Sequence, residues 1–314
     1  MRDYLLLILA DVLLAVSFGM TKYFQRRVGN GIRGIIVKSF LGALAGAVFF
    51  FFINGMKLEF EWFSLIMAAS YTLCCCFYSL IGYKIMSYDR YGLYMLFLML
   101  GGMTLPYVYG LIFYHERPSV IGYIALAMII TAMILSAEFK GSKDSPKEDT
   151  RKTPWYLYLL CVAVFLLNGI VSCAAKIHQV GGFTAETLET FDHISPNALT
   201  MYAQIITFLF FLILYPMKKD PDEPKYYVIH RPFRDGFINF LIIIGSTIIG
   251  AVCGMIQLSC ASRIPATLIY PVVSGGSIVF NTLVSACFFK EKYPVRYWVG
   301  TGLCLVATVL FIWS

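Results

Sequence analysis

The chain has 314 residues, of which 59% are hydrophobic and 14% are charged, and its formal net charge is +7. Soluble domains usually carry about 25% charged residues, so this composition indicates an integral membrane protein embedded in a lipid bilayer. The positive charge does not indicate nucleic-acid binding. The basic residues fall in short segments between apolar runs, where membrane orientation accounts for them.

Ten apolar runs, most of them long enough to cross a bilayer as an α-helix, follow one another along the chain. They are far longer than the roughly 10-residue strands of membrane barrels and lack the alternation of such strands. The sequence therefore predicts an all-α membrane protein. Its ten predicted transmembrane helices are Asp3–Tyr23, Ile35–Asn54, Trp62–Met86, Tyr91–Tyr114, Ser119–Ala137, Trp155–Lys176, Ala198–Met217, Gly236–Ser262, Ile264–Phe289 and Tyr297–Trp313.

The last two predicted helices form a hairpin that has a near copy earlier in the chain. Aligning Glu116 with Glu291, each in a short polar elbow, also superposes Gly101 on Gly276, at an offset of 175 residues. Each copy holds five helices, an odd number, so the second copy enters the membrane from the opposite side. This predicts two inverted five-helix repeats, residues 1–139 and 154–314, joined by a polar linker, residues 140–153.

The basic residues are distributed unequally between the two sides of the predicted membrane. Of the 25 lysines and arginines, 20 follow odd-numbered helices and five lie on the opposite side. Loops rich in lysine and arginine stay on the cytoplasmic side. Both termini are therefore predicted to lie outside, and the linker inside.

The repeated hairpin, together with Ala10-Asp11-Val12 and Met20-Thr21-Lys22 in helix 1, resembles the drug/metabolite transporter superfamily. The whole chain resembles its ten-helix bacterial members of EamA type, and residues 264–312 are similar to the last two helices of small multidrug resistance transporters. The resemblance implies a secondary transporter of a bacterial inner or plasma membrane. Two inverted bundles would give alternating access to a central cavity.

Small multidrug transporters carry a carboxylate on helix 1 that binds protons and cationic substrates, and Asp11 occupies the matching place. The second half has Phe165 or Asn168 near that position, so the acidic site is not duplicated. Independently of the resemblance, Asp11 is the only carboxylate deep within a predicted helix. An aspartate there costs about 2.5–3.5 kcal/mol, which makes Asp11 a candidate group for binding substrate and protons. The alternative is a structural partner for a basic group, or hydration near the interface.

Lys22 lies eleven residues after Asp11, which returns it to within about 20° of the same helix face and about 16 Å along the axis. Lys22 is a candidate substrate-binding residue that shares a cavity with Asp11 without pairing with it. Lys176 ends helix 6 as Lys22 ends helix 1. The alternative for both lysines is an extended side chain that reaches the lipid headgroups.

Several uncharged residues are further candidates for the site. Two glycine pairs at the middle of helices serve either as hinges that approach the substrate closely or as points of tight helix packing. The polar candidates for cavity lining lie on helices 7, 8 and 9. The glycines are Gly101, Gly102, Gly275 and Gly276, and the polar residues are Tyr270, Ser274, Asn281, Gln257 and Gln204.

The function that these features favour is secondary transport of a small metabolite or organic cation, coupled to protons or working as an exchanger (antiporter). The alternative is a membrane-embedded enzyme acting on lipid or isoprenoid phosphates. The chain lacks the clustered Asp or His motifs that such metal-dependent chemistry needs, so no catalytic residue, metal or cofactor is predicted. The nine cysteines lie inside predicted helices without a CxxC pair, which indicates neither a zinc site nor a disulfide framework. The expected assembly is a monomer or homodimer.

Overall fold

The computed structural model describes residues 2–28, 32–86, 91–136, 155–217, 233–289 and 295–313. Within these ranges the chain forms ten α-helices and one short 3-10 turn, Ala185–Thr187. The helices are α1 Arg2–Val28, α2 Ile32–Ile53, α3 Trp62–Met86, α4 Tyr91–Phe113, α5 Val120–Ser136, α6 Tyr156–Val180, α7 Pro196–Met217, α8 Phe233–Ala261, α9 Ala266–Phe289 and α10 Val295–Trp313. The all-helical prediction is thereby confirmed for the described residues. The predicted linker, residues 140–153, lies outside them.

Eight of these helices are long and apolar enough to cross a membrane. The apolar stretches in α4 and α5 are shorter, at Phe97–Phe113 and Val120–Ala132. Hydropathy thus separates membrane segments from connections along the described chain, as expected for a protein whose backbone must satisfy its own hydrogen bonds in lipid.

Two helices continue beyond the ends that hydropathy predicts. Helix α1 runs to Val28 instead of Tyr23, because the Arg27 side chain is accommodated by a hydrogen bond from its Nε to Oδ1 of Asn239 on α8, 3.0 Å long. Helix α6 runs to Val180 and ends at Gly181, which has a positive φ of 61°. Glycine adopts this left-handed conformation without strain, so it terminates the helix.

The helices of the first half pack mainly against helices of the second half. Helix α1 packs on α8 and α9, α2 on α7 and α8, α3 on α6 and α7, α4 on α6 and α9, and α5 on α10. Small residues bring some of these pairs close together: a Cβ on Gly42 of α2 would overlap the Thr247 side chain on α8, and one on Gly46 would press on Gln204 of α7. This is the packing that GxxxG patterns favour in membranes.

The connections after α2, α4, α6 and α8, residues 54–61, 114–119, 181–195 and 262–265, contact one another at one end of the bundle, which we call the tied end. The Tyr114 hydroxyl donates to the Gly182 carbonyl, and the Ser195 amide donates to a Glu59 carboxylate oxygen. The connections after the odd-numbered helices lie outside the described residues.

Candidate functional site

Asp11 lies at the interface of α1 with α9, and its side chain is only 1% exposed. The Ser277 hydroxyl donates a hydrogen bond of 3.2 Å to its Oδ1 atom. Its Oδ2 atom has no hydrogen-bond partner among the described residues. A buried polar atom without a partner costs free energy comparable to a lost hydrogen bond, which makes this carboxyl oxygen a candidate for proton binding.

Gly276 provides the space that the Asp11 carboxyl group occupies. A Cβ atom at this position would overlap Oδ2 of Asp11. The neighbouring Gly275 faces elsewhere, because successive helical residues point about 100° apart. A Cβ there would lie 2.5 Å from Oγ1 of Thr308 on α10 and 3.2 Å from Ile129 on α5. The two glycines therefore serve two different helix interfaces.

The matching position in the first half has a different chemistry. A Cβ on Gly101 of α4 would overlap the backbone carbonyl of Phe165 on α6, so the two backbones approach closely. A Cβ on Gly102 would lie 2.5 Å from Nδ2 of Asn168, which donates to the Leu98 carbonyl at 2.7 Å. The α4–α6 interface therefore contains a side-chain amide bonded to a backbone carbonyl, whereas the α1–α9 interface contains the Asp11 carboxyl group.

Three of the other predicted polar residues lie on the face of α9 that contacts Asp11. Tyr270, Ser274, Ser277 and Asn281 follow one another at spacings of four, three and four residues, which places them along one helix face. The Tyr270 hydroxyl donates to the Ser172 carbonyl of α6 at 2.6 Å. Asn281 donates to the Ser277 carbonyl of its own helix at 2.8 Å. Ser274 is buried, with 5% exposed.

The remaining predicted residues lie away from this face. Gln257 donates to the Cys253 sulfur on its own helix α8, at 3.4 Å. Gln204 lies against Gly46 between α2 and α7. Lys22 lies within α1, about 16 Å along the helix axis from Asp11. The structure therefore brings together Asp11, Gly276 and one face of α9, and leaves Lys22 and both glutamines elsewhere.

The α8–α9 turn is held at the tied end by two charged side chains from other helices. Nζ of Lys176, at the end of α6, donates to the carbonyls of Ala261 and Ile264, both at 2.7 Å. The Glu116 carboxylate, after α4, accepts from the amides of Ala266 and Thr267, both at 2.8 Å. A cation thus meets the negative end of one helix and an anion the positive end of the next, which stabilises both. Sequence reasoning placed Glu116 at its own elbow and did not predict this contact.

The loop between α6 and α7 is anchored by a buried histidine. Nε2 of His178 lies 2.9 Å from the Ser64 hydroxyl, and Gln179 lies 2.9 Å from Nδ1 of the same ring. Because the Gln179 amide nitrogen can only donate, Nδ1 accepts and His178 donates from Nε2. The Phe63 ring stacks on both His178 and Phe191. This cluster adds aromatic contacts to the tied end.

Lys38 is a further polar residue that sequence reasoning missed. It lies within α2, six residues after the helix begins at Ile32, and the predicted helix Ile35–Asn54 also contains it. Its charge was nevertheless counted only among the 20 basic residues that follow odd-numbered helices. Its Nζ donates to Oγ1 of Thr21 on α1 at 2.9 Å. A signal was present in the sequence, because Lys38 is followed by an uncharged run that continues to Met56.

Metal ligation finds no support in the part of the chain that the structure describes. No group of three or more histidine, cysteine, aspartate or glutamate side chains lies close enough to hold an ion there.

Comparison with known proteins gives one match of the whole fold and one match of part of the sequence. A solved crystal structure, described only as "Crystal structure of protein", has a TM-score of 0.70, shares 12% sequence identity, and covers 99% of this chain and 98% of its own. At this identity the likeness shows the fold alone. No curated protein matches the chain by sequence. The profile of the EamA-like transporter family matches residues 180–313. This match confirms the resemblance to EamA-type members of the drug/metabolite transporter superfamily.

Proposed function

We propose that this chain is a secondary active transporter that moves a small metabolite or organic cation by alternating access, coupled to protons or by exchange. The observation that carries the proposal is the Asp11 carboxyl group, which is buried between α1 and α9 with one oxygen unpartnered among the described residues. A carboxyl group that is desolvated in a helix bundle can exchange a proton for another cation. Such groups are functional candidates in membrane proteins.

The pattern of helix packing supports an inverted repeat. A two-fold repeat exchanges each helix with its counterpart in the other half, α1 with α6, α2 with α7, and so on to α5 with α10. This exchange turns the pair α1–α8 into α6–α3, α1–α9 into α6–α4 and α2–α8 into α7–α3. All of these pairs are in contact. The pairs α2–α7, α4–α9 and α5–α10 map onto themselves. Helices α4 and α9 also begin 175 residues apart, at Tyr91 and Ala266. A two-fold relation between halves of odd helix number is the construction on which many secondary transporters rely.

Alternating access requires the tied end to open, and its contacts are suited to that. Besides the aromatic cluster they include hydrogen bonds and charged helix caps, such as those of Glu116 and Lys176, whose polar groups can bond to water instead. The 20-to-5 basic asymmetry predicts that the tied end faces outside.

The proposal is tested by transport in proteoliposomes. A thermal-shift screen of the purified protein against amino acids, amines, nucleosides and sugars first selects a substrate. Its uptake is then measured with and without an imposed pH gradient. Asp11→Asn removes the charge at nearly constant volume, so we expect folded protein with no pH-driven transport.

Asp3→Asn is the matched control for this experiment. Asp3 also lies on α1, but it forms an exposed ion pair with Arg263, 2.9 Å long. Exposed pairs of this kind contribute about 0–1 kcal/mol, so Asp3→Asn should transport normally. If Asp11→Asn retains pH-driven transport, Asp11 is a structural residue and the coupling site lies elsewhere. If no compound in the screen is transported, the transporter proposal itself fails.

A further inference from the structure

Lys38 lies within the apolar span Arg33–Ile53 of α2, and its ammonium group is bonded to Thr21 on α1. Gly42, one turn later on α2, lies against Thr247 of α8, while Met20 on α1 lies against Gly245. Lys38 and its partner Thr21 are therefore at nearly the same depth, about 9 Å from the adjoining ends of α1 and α2. The side chain crosses from α2 to α1, and α8 packs against both helices.

The Lys38 ammonium has no counter-charge among the described residues. Its hydrogen-bond partner is the neutral Thr21 hydroxyl, whose own proton is donated to the Ser17 carbonyl. Asp11 accepts from Ser277 and lies about 15 Å along α1 from Thr21. An ammonium has three donors, so two N–H groups remain for a ligand. Lys38 is half-buried. A lysine within a membrane span that has no counter-charge among the described residues is energetically costly, and it is a functional candidate for that reason.

A second donor on the same group of helices also lacks an acceptor. Asn239 of α8 is fully buried, and its Nδ2 atom has no partner among the described residues. The orientation of this amide is fixed, because Nε of Arg27 can only donate and must face the amide oxygen. Asn239 lies about 6 Å closer than Lys38 to the end opposite the tied end. The layer between α1, α2 and α8 therefore holds more hydrogen-bond donors than acceptors.

We propose that Lys38 binds an anionic oxygen group, a carboxylate or phosphate, of the transported substrate. This assignment rests on the proposed transport function and narrows its substrate to a metabolite with an acidic group. Thr21 positions the ammonium, and Asn239 offers a further donor on the route from the membrane face opposite the tied end. An organic cation without an acidic group would leave the charge of Lys38 unbalanced.

Binding is tested on purified protein, so that the result does not depend on transport. Thermal unfolding is followed during titration with sodium acetate, pyruvate, phosphate and sulfate, at constant ionic strength set by sodium chloride. A charge-assisted hydrogen bond contributes about 1.5–3 kcal/mol, so Lys38→Met should weaken the binding of a stabilising oxyanion about 10- to 100-fold. Lys38→Arg, which keeps the charge, should retain most of the binding. Lys57→Met, at an exposed lysine after α2, is the matched control.

A separate arm distinguishes a soluble anion from a lipid headgroup, which has the same chemistry. Short-chain phosphatidylglycerol is compared with short-chain phosphatidylcholine on the same variants. Stabilisation by a soluble oxyanion that is lost in Lys38→Met supports the inference, even if proteoliposomes show no transport. Three results overturn it: no soluble oxyanion stabilises the protein, Lys38→Met responds as the wild type does, or phosphatidylglycerol alone stabilises through Lys38. Normal transport of a substrate by Lys38→Met would also overturn it while leaving the transport function standing.

Discussion

The contact between Gly276 and Asp11 predicts the effect of a single added methyl group. In Gly276→Ala, the new Cβ would overlap Oδ2 of Asp11 and lie 2.8 Å from its Cγ. Either the carboxyl group must rotate away from Ser277 or α1 and α9 must separate. Overpacking of this kind costs about 1–3 kcal/mol. Alanine regains about 1 kcal/mol in helix propensity over glycine, so the net loss of stability is about 0–2 kcal/mol.

Gly254→Ala separates these two contributions. Gly254 also lies within a membrane-spanning helix, and the nearest atom to its added Cβ is the Tyr71 hydroxyl oxygen, at 4.0 Å. Gly254→Ala should gain the stabilisation that alanine's higher helix propensity gives, without a steric overlap like that between Gly276→Ala and Asp11. The difference in unfolding free energy between the two variants, measured by thermal unfolding of purified protein, should therefore be about 1–3 kcal/mol.

A double-mutant cycle identifies Asp11 as the group that is displaced. Asp11→Ala removes Oδ2 and Cγ and leaves only Cβ, which lies 3.4 Å from the added methyl group. The two substitutions should therefore couple favourably, by about 0.5–3 kcal/mol. The reasoning is refuted if Gly276→Ala is as stable as Gly254→Ala, or if Asp11→Ala fails to rescue it.

Three further predictions concern the tied end and the orientation of the chain. Glu116→Ala leaves the first two amides of α9 without their anionic cap and should lower the unfolding free energy by about 1–2 kcal/mol. Glu61→Ala, at an exposed glutamate after α2, is the control and should change the unfolding free energy little. Equal effects of the two substitutions would contradict the capping role of Glu116. Lys176→Met leaves two carbonyls of the α8–α9 turn without a donor and should cost about 1–3 kcal/mol in the same assay, against a negligible change in Lys57→Met. A reporter fused at Ser314 that is active only in the cytoplasm should be inactive, and activity would reverse the predicted orientation.

The sequence predicted the helices well because hydropathy and the length of a membrane span constrain them strongly. It failed at the end of α6, which was predicted to stop at Lys176 but continues through His178 and Gln179 to Val180. These side chains are bonded to other helices, to a turn or to one another, so the helix continues through them. A hydropathy scale scores a polar residue in the same way whether or not its hydrogen-bonding groups have partners in the folded protein.

The candidate site was predictable residue by residue but not as an arrangement. The cost of burying a carboxylate singled out Asp11, and the internal repeat singled out Gly276. Their contact joins positions far apart in sequence, and helix periodicity does not determine which faces of two distant helices meet. Lys38 was missed because the positive-inside rule explains any lysine near a helix end. Only the bond to Thr21 shows that its ammonium stays within the bundle.

The packing of each early helix on later ones has a consequence for how the protein is made. When α1 to α5 have entered the membrane, α6 to α10, the main partners of all five, have not yet been synthesised. Membrane helices insert first and associate afterwards, so the early helices remain in the lipid without their main packing partners until the later helices have been inserted. Helix α5 waits longest, because its main partner is α10, the last described helix. Assembly of this protein is therefore completed only at the end of synthesis, and a chain that stops before α10 exposes an unpartnered helix to membrane proteases.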